Sequence, residues 1–298
     1  MTLPVSGPLS LQDIANEFGG THPVSLSQYY AGGGLVPAGT TGINGPVPSS
    51  GPISIWNFYG VSHALTITYY GIGGGGSSGN DTSGGASGAG AVVGGLTMIS
   101  GQTASIVVGA AGSKGYGIEG GTSSITYRTT VASAYGGFGN RGPSSPYATG
   151  PNIAGGTAAG GALNLQGGLG AGWNQGINGG NGDSGVYNSI TYYAPGGGSG
   201  GDDFGFTGTG GSGGGDWAGN GGNGYRSGHG TNGGNYGGGG GGGGNYNGGS
   251  GVGAPGVFVI TYVSSTQRAT GGTVTSSGSG ASTVWQHVFT SSGTFAVV

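Results

Sequence analysis

The chain has 298 residues, of which 86 are glycine and 12 are proline, and only 4% are charged. Five Lys and Arg residues against eight Asp and Glu give a net charge of −3, so the chain lacks the cations that a nucleic-acid-binding surface needs. With no cysteine, disulfides, thiolate metal sites and cysteine nucleophiles are excluded, and no apolar run is long enough to insert into a membrane as a helix.

Glycine is unevenly distributed and divides the chain into three parts. The first 70 residues contain 11 glycines, residues 71–255 contain 69, and the remainder contains 6. We therefore predict an N-terminal module over residues 1–62, a glycine-rich domain over 63–263, and a linker with a C-terminal β-hairpin over 264–298. The N-terminus lacks the basic region and apolar block of a secretory signal, which predicts a soluble protein without a secretion signal of its own.

The N-terminal module repeats a pattern of proline, apolar residue, serine and apolar residue. Each copy leads into a predicted short helix, because proline sets an extended entry and serine is a favoured N-cap. The predicted helices cover residues 11–18, 26–30 and 55–59. Ser10 with Asp13 and Ser25 with Gln28 have the spacing of capping boxes.

These helices are too short to be stable alone and need a partner surface. Each exposes apolar side chains, so we expect the module to dock on another protein. A self-packed cap on the following domain is an equal alternative. The candidate docking residues are Leu11, Ile14, Phe18, Tyr29, Tyr30, Trp56, Phe58 and Tyr59.

Strand-like segments interrupt the glycine-rich domain. Two similar segments, 64–70 and 256–262, alternate β-branched and aromatic residues and open and close the domain. Further strands, bounded by Gly, Ser or Asn, are predicted at residues 91–99, 105–109, 123–127 and 186–193. Near the end of the chain, residues 283–290 and 294–298 predict a hairpin around a Ser-Ser-Gly turn. The apolar final strand is expected to pair, within the domain or with a neighbouring subunit.

The residues between these strands are too rich in glycine to form a side-chain core. Ordering each residue costs about 1–2 kcal/mol of backbone entropy, and glycine has no side chain whose burial offsets that cost. We therefore predict that backbone hydrogen bonds join threefold extended helices of the polyproline type, packed side by side. Residues 237–244, all glycine, predict an inner helix, and residues 219–224 predict an outer one. The irregular spacing excludes collagen; disorder is the alternative.

The inventory of catalytic side chains is small. Eight acids and four histidines are spread along the chain, and no two histidines have the spacing of metal ligands. We interpret Asp202 and Asp203 as a solvated acidic turn rather than a cation site, and His229, near Arg226, as part of a loop tip. Lys114 does not follow a phosphate-binding loop. We expect no enzymatic activity, catalytic residue, metal site or cofactor.

Aromatic residues in the glycine-rich loops are the strongest binding signal. Aromatic, Ser, Asn and Gly residues together combine large contact area with adaptable hydrogen bonding, as in antibody paratopes. The alternative for each ring is that it covers the end of a glycine helix. The candidate receptor-binding residues are Tyr135, Phe138, Tyr147, Trp173, Phe204, Phe206, Trp217, Tyr225, Tyr236 and Tyr246.

Three motifs resemble a glycine-rich domain found in tailed-phage tail proteins and adhesins. They are TITYYGIGGGG at residues 66–76, GQTASIVVGAAG at 101–112 and GVGAPGVFVITY at 251–262. The N-terminal repeats are similar to a module common near the start of phage virion proteins. The resemblance implies a mostly β and irregular fold, in which a small antiparallel β-sandwich carries a bundle of polyglycine-II helices. Residues 287–295 resemble strands that normally precede such a domain; here they either fold back on the sheet or mark a rearranged order.

The resemblance also implies a function. It points to a structural protein of the phage virion, made in the host cytoplasm and displayed as an exterior appendage of the tail or its fibres. The N-terminal module would contact other virion proteins, and the glycine-rich domain, as a homotrimer, would bind a host cell-surface protein or glycan. The alternative is a purely structural collar, baseplate or capsid-decoration subunit without receptor contact. An ice-binding role is disfavoured because threonine shows no regular spacing. Neither nucleic-acid binding nor membrane insertion is expected.

Overall fold

The computed structural model describes residues 3–37, 40–79, 84–114, 117–139, 152–172, 177–200, 207–225, 228–243, 249–264 and 266–298. In these ranges the protein is mostly β, with one α-helix and three short 3-10 helices. The α-helix α1 covers Leu11–Phe18, and the 3-10 helices cover Leu26–Tyr29, Ile55–Phe58 and Gly280–Ser282. Within the same ranges, no helix has the length and apolar character that crossing a bilayer requires.

All the strand pairs among the described residues are antiparallel. The strands are β1 (Thr41–Gly42), β2 (Gly45–Pro46), β3 (Leu65–Ile72), β4 (Ala91–Met98), β5 (Thr103–Val107), β6 (Ser123–Tyr127), β7 (Thr130–Ala134), β8 (Asn152–Ile153), β9 (Ala158–Ala159), β10 (Leu163–Leu165), β11 (Gly170–Ala171), β12 (Ser184–Tyr187), β13 (Ile190–Tyr193), β14 (Val257–Val263), β15 (Ala269–Thr270), β16 (Thr273–Ser277), β17 (Val284–Phe289) and β18 (Gly293–Val297).

Two six-stranded sheets share one apolar core. The first sheet has the order β10-β4-β3-β14-β17-β16, and the second has the order β15-β18-β5-β6-β7-β9. Ile67 and Phe258 from the first sheet and Ile106 and Phe295 from the second are buried in the same cluster. Because successive side chains on a strand point to opposite faces, the alternating sequences place every second residue in this core.

The two bracketing strands predicted from the sequence are confirmed and pair directly with each other. β3 and β14 lie side by side at the centre of the first sheet, with Tyr69 opposite Ile260. β3 continues to Ile72, two residues beyond its predicted end. The extension includes Gly71, and the ring of Phe258 packs directly on it. A Cβ at this position would be 2.3 Å from a ring carbon, so only glycine fits here.

The predicted C-terminal hairpin is wrong. β17 pairs with β14 and β16 in the first sheet, whereas β18 pairs with β15 and β5 in the second. The Ser-Ser-Gly segment therefore crosses from one sheet to the other, which brings Phe289 and Phe295 into the shared core from opposite sides. The predicted linker is also partly wrong, because it contains β15 and β16. The C-terminal strands thus fold back on both sheets, and the final strand is paired within the domain as expected.

The predicted first helix and its capping box are confirmed. The Ser10 hydroxyl accepts from the Asp13 backbone N–H at 3.2 Å, and the Asp13 carboxylate accepts from the Ser10 N–H at 2.8 Å. The second capping box is wrong, because the Ser25 hydroxyl accepts from the Ser27 N–H at 3.4 Å. The 3-10 turn that follows is tighter than an α-turn and leaves the Gln28 side-chain oxygen buried without a partner among the described residues.

The glycine-rich segments lie side by side and are joined by backbone hydrogen bonds that repeat every third residue. In segment 85–90, the six N–H groups donate to three neighbouring segments in rotation. Their acceptors, in chain order, are the carbonyls of Ala171, Gly240, Phe138, Gly168, Gly237 and Tyr135. Segment 194–200 repeats the pattern, because residues 194, 197 and 200 all donate to segment 177–183. Backbone groups, which must be paired when buried, are thus satisfied between segments.

The segments approach so closely that side chains are excluded from most contacts. A Cβ on Gly197 would lie 2.0 Å from the carbonyl oxygen of Leu169, and one on Gly75 would lie 2.0 Å from that of Gly238. Residues 237–243 are buried throughout, whereas Asn220 and Asn223 are exposed. These positions agree with the predicted inner and outer places of the two segments.

Asparagine side chains complete the hydrogen bonding at the margin of the glycine-rich region. The carboxamide oxygens of Asn220 and Asn223 accept from the backbone N–H groups of Gly213 and Gly210, each at 2.9 Å. Asn178 and Asn181 do the same for Thr209 and Ser212, at 2.9 and 2.7 Å. Since each pair is three residues apart, the side chains follow the same repeat as the backbone bonds.

Candidate recognition site

A groove lined by aromatic and polar side chains opens on the outer face of the first sheet. It encloses about 330 Å³. Tyr192, Tyr193 and Trp217 supply aromatic rings, and Asp216 and Gln286 supply polar groups. These five residues are hereafter the Tyr–Trp groove.

The hairpin β12–β13 brings both tyrosines over the sheet. The two turn residues, Asn188 and Ser189, have φ values of 49° and 64°, as a two-residue hairpin turn of type I′ requires. The prediction of one strand over 186–193 is therefore wrong, since the segment folds back on itself. Val186 and Ile190 are 66% and 56% exposed. The apolar residues of this segment therefore do not indicate one buried strand.

The buried side chain of Tyr70, on β3, fixes the hairpin from below. Its hydroxyl donates to the Tyr193 carbonyl oxygen, and its ring meets that of Tyr192 edge to face at 5.2 Å. Burial raises the pKa of both Tyr70 and Tyr192, so both phenols stay protonated at neutral pH. Gly214 lies against the Tyr193 ring, where a Cβ would be 2.5 Å from a ring carbon. The tyrosines are therefore held in place before any ligand arrives.

The polar atoms of the groove are open to a ligand. Among the described residues, neither the Asp216 carboxylate, the Gln286 carboxamide nor the Trp217 indole N–H has a hydrogen-bond partner. Asp216 is exposed, and Trp217 and Gln286 are half-buried. Trp217 is supported by Tyr236, whose ring centroid is 5.9 Å away. The arrangement offers stacking surfaces with hydrogen-bonding groups beside them.

The structure brings together only part of the predicted aromatic set. Trp217 lines the groove, and Tyr236 packs behind it. Tyr135 and Phe138, three residues apart on one segment, are 45% and 41% exposed, and Tyr225 is 40% exposed; none of these three lines the groove. Tyr147, Trp173, Phe204, Phe206 and Tyr246 lie outside the described residues.

Of the five groove residues, Trp217 alone is among the candidate receptor-binding residues predicted from the sequence. Tyr192 and Tyr193 are aromatic residues of the glycine-rich part, but they fall in the predicted strand 186–193, and Asp216 is one acid among eight. The available signal was the order of residues 216–217, an acid directly before a tryptophan in a glycine-rich turn. Gln286 gave no signal, because its place beside the groove depends on how β17 joins the first sheet.

The candidate docking residues divide into buried and exposed sets. Ile14, Phe18, Tyr29 and Phe58 pack against one another in the module's own core. Leu11, Tyr30 and Tyr59 are partly buried, and the hydroxyls of the two tyrosines donate to the Gly51 and Gly7 carbonyls. Trp56 is 65% exposed. Trp56 is therefore the most exposed of the candidate docking residues.

A second cavity, of about 820 Å³, lies between the N-terminal module and the first sheet. Glu17, His63 and Arg268 line it. The Glu17 carboxylate accepts from the His63 backbone N–H at 2.8 Å, and the Arg268 guanidinium donates to the His63 carbonyl oxygen at 2.9 Å. Arg268 is buried, which lowers the pKa of its guanidinium, while the charge of Glu17 acts in the opposite direction. These contacts connect α1, the segment before β3, and the C-terminal strands.

His63 makes the stability of the protein depend on pH. Burial, and then the positive charge of Arg268, lower the pKa of His63 from its ordinary value to about 4. Between about pH 6.5 and 4 the unfolded chain binds the proton that the folded protein excludes, so stability falls as pH falls through this window. The free energy of unfolding should fall by about 2 kcal/mol between pH 7 and 4. This is less than the full pKa difference would give, because the ring is partly exposed and solvent screens its charge.

The measurement is urea unfolding of the protein and of His63→Phe at several pH values from 7 to 4. The variant keeps a ring beside Phe18, whose centroid is 5.3 Å from that of His63, but it cannot titrate. We expect a shallower pH dependence for the variant. Identical pH dependence in both proteins would show that His63 does not carry the effect. The neutral ring of His287, whose pKa burial also lowers, is common to both.

The described residues contain no group of three or more His, Asp or Glu placed to hold a metal ion. His229 is exposed, and its ring nitrogen accepts from the Gly249 backbone N–H at 2.6 Å, which joins two segments. His287 is fully buried, with one ring nitrogen 2.7 Å from the Gly271 carbonyl oxygen. Asp202, Asp203 and Arg226 lie outside the described residues.

The sequence was compared with known protein families and with curated proteins. No family model matches the chain, and no curated protein has significant sequence similarity to it.

Proposed function

We propose that the chain is a receptor-binding protein of the bacteriophage virion, carried on the tail or its fibres, with a bundle of polyglycine-II helices as its scaffold. The observation that carries this proposal is the three-residue rotation of the backbone hydrogen bonds in segments 85–90 and 194–200. Together with the resemblance of residues 66–76, 101–112 and 251–262 to phage adhesin domains, it favours a displayed recognition protein.

The hydrogen-bond rotation supports the polyglycine-II assignment on geometric grounds. A threefold extended helix has about three residues per turn and no internal hydrogen bonds. Successive N–H groups on such a helix point in three directions, so donation to three neighbours in rotation is the pattern expected when the helices pack side by side. The short Cβ distances at Gly75 and Gly197 support the same packing, because only glycine permits such close backbone contact.

A scaffold of this kind suits receptor recognition. Loops and rings mounted on a rigid support lose little conformational freedom when they bind. Tyr135, Phe138 and Tyr225 are exposed on the glycine-rich region, and the Tyr–Trp groove lies beside it. We propose that these rings contribute to the receptor contact, and that the protein acts by binding rather than by catalysis.

The N-terminal module is proposed to attach the chain to other virion proteins. Val5, Ile43 and Trp56 are 61%, 58% and 65% exposed. Val5 and Ile43 both border Gly60, and the Asn44 side chain donates to the Trp56 carbonyl oxygen at 2.9 Å. We propose that these exposed apolar side chains form the contact with the partner protein.

Cell binding tests the proposal directly. The purified full chain, fluorescently labelled, is added to a panel of bacterial strains, and antibody-gold labelling locates it on the virion. We expect saturable binding to a subset of strains, competition with phage adsorption, and label on the outside of the tail. Absence of cell binding, with label at the collar, an internal baseplate position or the capsid, would instead identify a purely structural subunit. Light scattering on the same sample tests the expected homotrimer.

A further inference from the structure

The Tyr–Trp groove has the chemistry of a sugar site. Tyr192, Tyr193 and Trp217 present rings within one small cavity. The groups beside them are the Asp216 carboxylate and the Gln286 carboxamide, neither of which has a hydrogen-bond partner among the described residues. A pyranose ring has an apolar C–H face that stacks on an aromatic ring and hydroxyls at its edge that need donors and acceptors. The groove supplies both.

The charge around the groove selects among sugars. Asp216 is the charged residue that lines it, and no lysine or arginine is among its described lining residues. A sialic acid or a uronic acid would bring a second carboxylate beside Asp216 without a cation to pair with it, which is unfavourable. The hydroxyl groups of a neutral sugar instead donate charge-assisted hydrogen bonds to the carboxylate.

The size and support of the groove also fit a short saccharide. About 330 Å³ is at the small end of ligand pockets and suits one or two sugar rings rather than a protein segment. The Tyr70 hydroxyl bond to the Tyr193 carbonyl and the contact of Gly214 with the Tyr193 ring hold the walls in position. Such preorganisation lowers the entropy lost on binding.

We propose that the Tyr–Trp groove binds a neutral saccharide, with a sugar ring stacked on Trp217 or the tyrosines and its hydroxyls bonded to Asp216 and Gln286. This inference rests on the proposed function and deepens it, because it names the class of receptor that the groove recognises. Free sugars and the sugar chains of a cell surface share this chemistry, so the experiment includes both.

The test uses the full chain and isothermal titration calorimetry. The soluble probes are cellobiose, lactose and N,N′-diacetylchitobiose as neutral sugars and sialyllactose as the anionic one. The cell-surface probe is lipid-free polysaccharide released from bacterial lipopolysaccharide. The variants are Trp217→Ala, Gln286→Ala and Asp216→Asn, with Val131→Ala as the control, since Val131 is 51% exposed and does not line the groove. Circular dichroism confirms folding, and Gln286→Ala keeps the test valid if Trp217→Ala unfolds.

We expect at least one neutral probe to bind, with a tenfold or greater loss of affinity in Gln286→Ala and in folded Trp217→Ala, and little change in Val131→Ala. Binding of the polysaccharide alone would identify a cell-surface source, and binding of a disaccharide would identify the sugar. Either result supports the proposal when Gln286→Ala and folded Trp217→Ala lose affinity and the control variant does not. Absence of binding to every probe, preference for sialyllactose, or equal losses in Gln286→Ala and Val131→Ala would overturn it. Sugar binding without adsorption to cells would contradict only the receptor role, and adsorption without sugar binding would contradict only this inference.

Discussion

Replacement of Gly197 by alanine is expected to destabilise the protein by at least about 3 kcal/mol, the upper range for inserting a methyl group into a packed interior. The new Cβ would lie 2.0 Å from the Leu169 carbonyl oxygen and 2.7 Å from that of Gly168. Because both contacts are with backbone, no side-chain rotation relieves them. The segments must therefore separate. This separation weakens the hydrogen bond from the Gly197 N–H to the Gly180 carbonyl oxygen, whose N–O distance is 2.9 Å.

Gly234→Ala is the matched control for this prediction. Gly234 also donates one backbone hydrogen bond to a neighbouring segment, at 2.8 Å to the Asn220 carbonyl. Its nearest contact for a Cβ is 3.6 Å, an ordinary van der Waals distance. Urea unfolding should place this variant within about 0.5 kcal/mol of the parent protein. Equal stability of the two variants would show that the glycine-rich interior is not closely packed.

Replacement of Phe295 by alanine is expected to cost about 3–5 kcal/mol, as for other fully buried aromatic residues. Phe295 lies on β18 with no exposed surface, and the His287 ring is 5.1 Å from its own. β18 is paired on both sides, with β15 and β5. The whole protein should therefore lose stability in one cooperative transition, which differential scanning calorimetry measures.

Val298→Ala is the control for the last strand. Val298 directly follows β18 and is 59% exposed, so its substitution should change stability by less than about 0.5 kcal/mol. Two separate unfolding transitions in Phe295→Ala, with the larger one unchanged, would mean that the last strands form an independent unit. That result would contradict their place in the two sheets.

Elements with strong local signals were predictable from the sequence. α1 begins and ends where the serine cap, the apolar spacing and the following glycines place it. β6 covers Ser123–Tyr127, as its β-branched and aromatic residues predicted. β3 and β14 lie where two similar alternating sequences at the ends of one domain predict strands. In each case, neighbours along the chain carry enough information to define the element.

Features that depend on distant contacts were not predictable in the same way. A Ser-Ser-Gly turn between two apolar strands has the local pattern of a hairpin, and only the shared core decides that β17 and β18 enter different sheets. The Tyr–Trp groove combines residues from β13, from β17 and from the turn at residues 216–217. Their proximity is a consequence of sheet order, which no local pattern specifies.

The edge of the glycine-rich region shows a signal that is readable in hindsight. Asn178 with Asn181 and Asn220 with Asn223 are each three residues apart, and each side chain accepts a backbone N–H from an adjacent segment. Asparagine is suited to this place because its carboxamide oxygen can take the position of a backbone carbonyl. Asparagine at every third position among glycines therefore indicates an outer segment.

Amide hydrogen exchange, resolved by residue with NMR, tests most directly whether main-chain hydrogen bonding forms the interior. The packing described above predicts that the N–H groups of Ala86, Gly197 and Gly240 exchange only through global unfolding. Their exchange free energies should then equal that of Ile260, at the centre of β14. Rapid exchange of these glycine-rich amides while Ile260 remains protected would contradict a hydrogen-bonded main-chain interior.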